Sequence, residues 1–243
     1  MGAGATANAA LAEDALRALA DAGKARTAAV YFKTGPGEYG EGDQFYGIRV
    51  PQVREVARQF NTLSLDDCAA LLQSPYNEAR LLALDILTRR FAKGKPEVQT
   101  AVYDCVVQQR HRINNWNLVD GVGPYITGPY LLKRDRRVIW QWAESPVLWD
   151  RRLAVLSTYA FIRAGDFDDA LTLYAQLLSD PHDLMHKACG WMLRELGKRD
   201  EARLLAFLQT HYTALPRTML RYAIEKFTPV QRAALLKGDF HGI

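Results

Sequence analysis

The segment from Asn115 to Asp120 combines an aromatic ring and a carboxylate in a way that suits chemistry. Trp116 and Asp120 are four residues apart, so on a helix they lie on one face. An indole can pack against a flat or sugar-like group, and a carboxylate can stabilise positive charge that develops beside it. Asp is unfavourable inside a helix, which favours a functional reason for Asp120. The alternative is an incidental Asp near a helix end, since glycine and proline follow at 121–124.

A second group of candidates lies in the C-terminal half of the chain. Lys187, Trp191 and Arg194 recur at helical spacing and form a basic and aromatic stripe, which favours a nucleic-acid strand. Arg151 and Arg152 precede an apolar run, so one of the two must lie near a packed face. A half-buried arginine usually pairs with a carboxylate or binds phosphate. The alternative for Trp116 and Trp191 is an ordinary position at the boundary of the core, whereas Trp149 begins an apolar helix and is predicted to lie in the core.

No metal or cofactor site is predicted. His182 and His186 have the spacing of a zinc-binding helix, but Asp183 stands where that motif has glutamate, and His211 is the one further candidate ligand. The glycine-rich stretch 34–43 contains two glutamates and follows no strand, so we predict a surface loop rather than a phosphate cradle. The chain also lacks the GxSxG turn that presents a nucleophilic serine in many hydrolases.

These residues must be positioned by helices, because apolar periodicity of the helical kind recurs along the chain and no strand alternation is evident. Asp166, Asp180 and Thr228 are predicted helix caps. Repeating helix pairs predict an all-α fold, an α-solenoid of degenerate HEAT-like repeats with a concave basic groove, in one domain over residues 1–243 with a flexible leader at 1–8. A plain helical bundle is the alternative. The predicted helical stretches are 11–22, 27–32, one from Pro51 to about residue 60, 65–73, 77–92, 97–110, 115–132 (broken by glycine and proline), 136–143, 147–163, 167–178, 182–197, 200–210, 216–226 and 229–236.

Charge and composition narrow the class of partner. Residues 1–105 carry 12 Lys and Arg against 13 Asp and Glu, whereas residues 106–243 carry 19 against 14. The basic excess therefore lies in the half that contains the Trp and Asp pair, as an anionic partner would require. The alternative is a solvated surface that is richer in arginine than average. No apolar run approaches the roughly 18 residues that span a bilayer. Three scattered cysteines, Cys68, Cys105 and Cys189, favour core positions in a reducing compartment, and we expect a cytoplasmic monomer.

Five segments, in order over about residues 10–235, resemble the AlkD family of DNA glycosylases, HEAT-like repeat proteins that excise alkylated purines. Phe45 to Pro51 resembles the family's early turn into a helix, and Asn115 to Asp120 resembles its Trp-x-x-x-Asp helix. Tyr31–Lys33 is similar to the family's early tyrosine that approaches the DNA backbone. Trp149–Arg152 is similar to its DNA-contacting arginine segment, and Lys187–Glu195 is similar to its Gly-Trp helix.

The resemblance implies a function and a set of roles. Asp120 would be the catalytic carboxylate, with Trp116 and Trp191 packed against the deoxyribose at the lesion. Double-stranded DNA containing alkylated bases would be the partner, in a bacterial cell and without metal or cofactor. The implied DNA-binding residues are Tyr31, Arg151, Arg152, Lys187 and Arg194.

The implied reaction is hydrolysis of the N-glycosidic bond of cationic N3- or N7-alkylated purines, with one carboxylate stabilising the oxocarbenium ion and orienting water. Asn115 departs from relatives that carry a second aromatic there. Two alternatives stay open: a non-catalytic HEAT-repeat protein that binds distorted or branched DNA, and a protein-interaction scaffold.

Overall fold

The computed structural model describes residues 8–243, and the part of the predicted leader at residues 1–7 lies outside the described residues. Asn8 is the N-cap of the first helix, because its side-chain oxygen accepts a hydrogen bond from the backbone N–H of Leu11 at 3.0 Å. The described residues form helices and connecting turns without a β-strand, apart from an isolated bridge between Gln44 and Tyr76. The all-α prediction is confirmed.

The chain divides into two compact units that meet in the sequence between Val122 and Gly123. In the first unit, α3 packs on α5 and α5 packs on α7, while α4 packs on α5 and α6. A short 3₁₀ helix, Arg110–Arg112, precedes α7. The helices of the first unit are α1 (Ala9–Arg17), α2 (Ala22–Tyr31), α3 (Val50–Gln59), α4 (Leu65–Leu72), α5 (Asn77–Lys93), α6 (Pro96–Gln108) and α7 (Trp116–Val122).

The second unit begins with a π-helix, Gly123–Thr127, and contains a 3₁₀ turn, Leu177–Ser179. Its α10 packs on α8, α9 and α12, and α12 packs on α13 and α14. Contacts between next-but-one helices, as in α10–α12 and α12–α14, are consistent with an α-solenoid. The helices are α8 (Gly128–Leu131), α9 (Arg137–Ala143), α10 (Leu148–Arg163), α11 (Asp168–Gln176), α12 (Asp183–Gly197), α13 (Glu201–His211), α14 (Arg217–Ala223) and α15 (Pro229–Leu235). One domain over the whole chain stays a prediction.

Glycine permits the close packing of the π-helix and α8 against α10. A Cβ on Gly123 would lie 2.6 Å from the Cβ of Leu156, and one on Gly128 would lie 2.2 Å from the carbonyl oxygen of Ser157. The Thr127 hydroxyl lies 2.7 Å from that of Ser157, so the polar groups at this contact are paired. Only glycine allows the two backbones to approach this closely.

Several predictions about local structure need correction. The second helix begins at Ala22 rather than Thr27, because the Asp21 side chain caps it. Neither Asp166 nor Asp180 is a helix N-cap, because the N-cap of α11 is Phe167 and that of α12 is His182. Asp166 pairs with Arg136 instead. The cap at Thr228 is confirmed.

The core predictions largely hold. Trp149, Cys68 and Cys189 are buried as predicted, whereas Cys105 is only half-buried. None of the helices among residues 8–243 has both the length and the apolar character that crossing a membrane requires.

Candidate active site

Trp116 and Asp120 lie one turn apart on α7, as the sequence predicted. The helix begins at Trp116, and both side chains are half-buried. Each therefore keeps part of its surface accessible while the rest is fixed by packing. The first unit thus presents an indole and a carboxylate side by side on one helix face.

Stacked aromatic rings fix the plane of the Trp116 indole. Its ring lies 5.1 Å from that of Phe32 with an interplanar angle of 21°, and Phe32 lies 4.9 Å from Phe45 at 17°. Tyr31 meets the edge of the indole at 5.9 Å and is 63% exposed. The structure therefore brings together Tyr31 and Trp116, two of the predicted site residues. A cavity of about 390 Å³ is lined by Tyr31, Phe32 and Phe45, so the rings are accessible beside the indole.

A buried carboxylate that the sequence analysis did not select anchors the start of α7. Asp43 accepts hydrogen bonds from Arg80 Nη2 at 2.5 Å and from the side-chain amides of Asn77 and Asn115 at 3.1 Å each. Asn115 in turn accepts from the backbone N–H of Trp116 at 2.9 Å. The contacts from Asp43 through Asn115 therefore fix the position of Trp116 at the start of α7.

The glycine-rich loop is consequently not a surface loop throughout. Its tip is exposed, but Gly40 and Asp43 are buried. A Cβ on Gly40 would lie 2.3 Å from the carbonyl oxygen of Phe32 and 3.1 Å from Nδ2 of Asn115. The expectation of a solvated loop fails at its C-terminal end, where the chain packs between the aromatic stack and α7.

The turn from Phe45 to Pro51 is held by a second buried carboxylate, Glu78. Its oxygens accept from the backbone N–H groups of Tyr46, Gly47 and Ile48 at 3.0, 2.9 and 3.1 Å. Gly47 has φ of 83°, which disfavours any residue with a side chain. This turn places Phe45 in the aromatic stack and leads into α3, as predicted.

The predicted basic and aromatic stripe lies on one helix of the second unit. Lys187, Trp191 and Arg194 are all half-buried on α12. Lys187 Nζ lies 2.8 Å from a carboxylate oxygen of Asp183, and Arg194 pairs with Glu225. The two cations are therefore compensated by carboxylates, with which a phosphate would have to compete.

The two arginines of α10 are more deeply engaged. Arg152 is 5% exposed, and its Nη1 donates to the carbonyl of Leu184 at 2.6 Å. Arg151 Nε donates to Asp180 at 2.7 Å, and its Nη1 donates to the carbonyl of Ser145 at 3.0 Å. These contacts tie α10 to the start of α12 and to the preceding turn. The predicted role of both arginines in DNA contact stays a prediction.

The histidine pair serves the start of α12. His182 Nδ1 accepts from the backbone N–H of Leu184 at 3.2 Å, and burial lowers the pKa of His182. His186 Nε2 lies 2.6 Å from the carbonyl oxygen of Asp180. Among residues 8–243 no group of three or more His, Cys, Asp or Glu side chains is placed to hold a metal ion.

Comparison with known proteins identifies the family. The model of the family described as DNA alkylation repair enzyme matches residues 12–227. The chain belongs to this family. Its fold is similar to that of a solved structure described as a predicted DNA alkylation repair enzyme from Enterococcus faecalis, with a TM-score of 0.69 and 17% identity over 86% of this chain and 97% of the other. No curated protein matches the chain.

Membership of the DNA alkylation repair enzyme family indicates a role in alkylation repair with DNA as the partner. The first unit holds Tyr31, Trp116 and Asp120. The second unit holds the remaining candidates, which are Arg151, Arg152, Lys187, Trp191 and Arg194. The family match covers residues 12–227, so both sets lie within the matched segment.

Proposed function

We propose that the protein is a DNA glycosylase that removes purines alkylated at N3 or N7. The observation that carries this proposal is the pairing of Trp116 and Asp120 on α7, with the indole held by stacking on Phe32 and by the Asn115 contact. A family of alkylation repair enzymes supplies the substrate class. The rigid indole offers a surface for a deoxyribose, and the carboxylate next to it supplies negative charge.

The reaction needs little more than that charge. An N3- or N7-alkylated purine is cationic, so when the C1′–N bond breaks, the bonding electron pair leaves with the base, which becomes neutral. Positive charge then moves to the sugar as an oxocarbenium ion. A carboxylate near C1′ stabilises this ion by direct electrostatic attraction. Water adds to C1′, and its proton passes to the carboxylate or to solvent.

A single carboxylate is sufficient because the leaving group is already charged. Ordinary glycoside hydrolysis uses a second carboxyl group to protonate the leaving oxygen. Here alkylation has done that work in advance. Asp120 is the carboxylate we assign to this role, and Trp191 and Arg194 on α12 are proposed to contact the DNA around the lesion.

The test is Asp120→Asn, which keeps the shape of the side chain and removes its charge. At about 4 Å and an effective dielectric constant near 20, an opposite charge is worth about 4 kcal/mol. We expect single-turnover release of methylated purine from duplex DNA to fall by at least about tenfold, or ~1.4 kcal/mol in the barrier. The affinity for the same duplex should stay within about twofold.

Asp104→Asn is the matched control, because Asp104 is an exposed carboxylate on α6. It should leave release unchanged. If Asp120→Asn releases base as fast as the wild type, the assignment of Asp120 is wrong. If the wild type binds duplex DNA but releases no base, the protein is instead a non-catalytic DNA-binding member of its family.

A further inference from the structure

A cavity of about 520 Å³ lies between α3, α5 and the start of α6 in the first unit. Its lining includes four cationic side chains: Arg58, Arg89, Arg90 and Lys93. None of them belongs to the site described above. Residues 1–105 carry a net charge of −1, so these cations are a local concentration and not part of a generally basic surface. A concave, positively charged site of this kind suits an anion.

The carboxylates nearby do not neutralise the cavity. Asp85 is shared between Arg89 at 2.6 Å and Arg54, which is on α3, at 3.7 Å. Arg58 pairs with Glu55. Five cations, counting Arg54, thus face two carboxylates, which leaves an excess of three positive charges.

Lys93 is the most available of these cations. It is exposed at the end of α5 and forms an ion pair with no carboxylate among residues 8–243. Arg89 is also accessible, with 37% of its side chain exposed. Both side chains are therefore already exposed to solvent and can contact a bound phosphate directly.

One contact relates the cavity to the proposed catalytic residue. Thr88, which precedes Arg89 on α5, donates from its hydroxyl to the carbonyl of Gly121 at 3.5 Å, and Gly121 follows Asp120 on α7. The cavity is lined largely by α5, and α5 packs directly on α7, which carries Asp120.

We propose that the Arg58, Arg89, Arg90 and Lys93 cavity binds backbone phosphates of the DNA duplex whose damaged base is removed beside α7. This inference rests on the proposed function for its choice of anion. The cavity would hold the duplex in register while Asp120 acts on the sugar. It contributes to affinity and not to the chemical step.

The test is the double variant Arg89→Gln/Lys93→Gln, with Arg232→Gln/Lys237→Gln as control. The control removes one arginine and one lysine charge from exposed positions beyond residue 227, outside the family match. Affinity for an alkylated duplex is measured by fluorescence anisotropy over a range of salt concentrations. We expect the cavity variant to bind about tenfold more weakly, and the slope of log K against log salt to fall by about 2 in magnitude. Single-turnover release at saturating DNA should be unchanged.

The single variant Lys93→Gln should not disturb folding, because the Lys93 side chain holds no ion pair with a described carboxylate. The slope of log K against log salt should then fall by about 1 in magnitude. If the double variant has the same salt slope as the control, the proposal is overturned. Wild-type protein that binds DNA without releasing base refutes the glycosylase while leaving this site to be judged by its slope. Wild-type protein that binds no duplex refutes both.

Discussion

Replacing Asp43 with asparagine should destabilise the first unit strongly. The carboxylate and the Arg80 guanidinium form an ion pair at 2.5 Å, with side chains 1% and 2% exposed. Removing one partner of a buried ion pair costs about 3–5 kcal/mol, because the remaining charge is left in a low-dielectric interior. Burial already lowers the pKa of Arg80, but an arginine stays protonated and cannot escape the penalty by losing its proton. Asparagine also replaces an acceptor of two amide hydrogen bonds with a group that presents N–H donors.

Thermal unfolding followed by circular dichroism measures the effect. For a chain of 150–250 residues each 1 kcal/mol shifts Tm by about 2–4 °C, so Asp43→Asn should lower Tm by roughly 6–20 °C. The double variant Asp43→Asn/Arg80→Met should be more stable than Asp43→Asn alone, because it leaves no charge to be buried. A loss below about 1 kcal/mol, or a double variant less stable than the single one, would refute the claim that Asp43 acts by compensating Arg80.

Two further changes probe the second unit, one of them compared with a control glycine in the first unit. Gly128→Ala should lower the free energy of unfolding in urea by about 1–3 kcal/mol, because the new Cβ would lie 2.2 Å from the carbonyl oxygen of Ser157. Gly121→Ala is the control and should be neutral or stabilising, because nothing lies within 4 Å of its Cβ. Equal effects of the two substitutions would contradict the packing argument. His182 has a lowered pKa in the folded protein, so its contribution to stability is present above its ordinary value near 6.5 and is lost as the pH falls through the lower folded value. His182→Asn keeps a capping side chain that does not titrate, so its free energy of unfolding should fall less than that of the wild type between pH 7.5 and 5.5; parallel pH profiles would show that His182 does not contribute.

Local patterns were sufficient to predict most helices. The predicted stretch 77–92 corresponds to α5 (Asn77–Lys93), and 182–197 corresponds to α12 (Asp183–Gly197). Apolar periodicity gave these bounds because both helices bury a continuous face. The prediction failed where a distant partner decided the outcome. Asp180 resembles a helix cap in sequence, but its carboxylate binds Arg151, which lies 29 residues earlier.

In the candidate site, too, the sequence predicted the local pattern but not the long-range contacts. The Trp116 and Asp120 pair follows from helical spacing alone, so it was predictable. The contacts that hold the indole were not, because Phe32 lies 84 residues before Trp116 and Asp43 lies 72 residues before Asn115. An acidic residue that ends a glycine-rich stretch was the one local sign of Asp43, and burial gave it its role.

The ion pairs of the second unit differ in how easily each predicted phosphate-binding cation can leave its carboxylate. Lys187 and Asp183 are 39% and 55% exposed, so their ion pair is worth at most about 1 kcal/mol and is easily exchanged for a phosphate. Arg151 and Asp180 are 14% and 2% exposed, and taking Arg151 away would leave a buried carboxylate without its cation. A phosphate can therefore recruit Lys187 at little cost, whereas Arg151 is better suited to hold α10 against the start of α12. On this reasoning DNA binding in the second unit depends on the exposed pairs, and the buried pair keeps the helices that carry them in place.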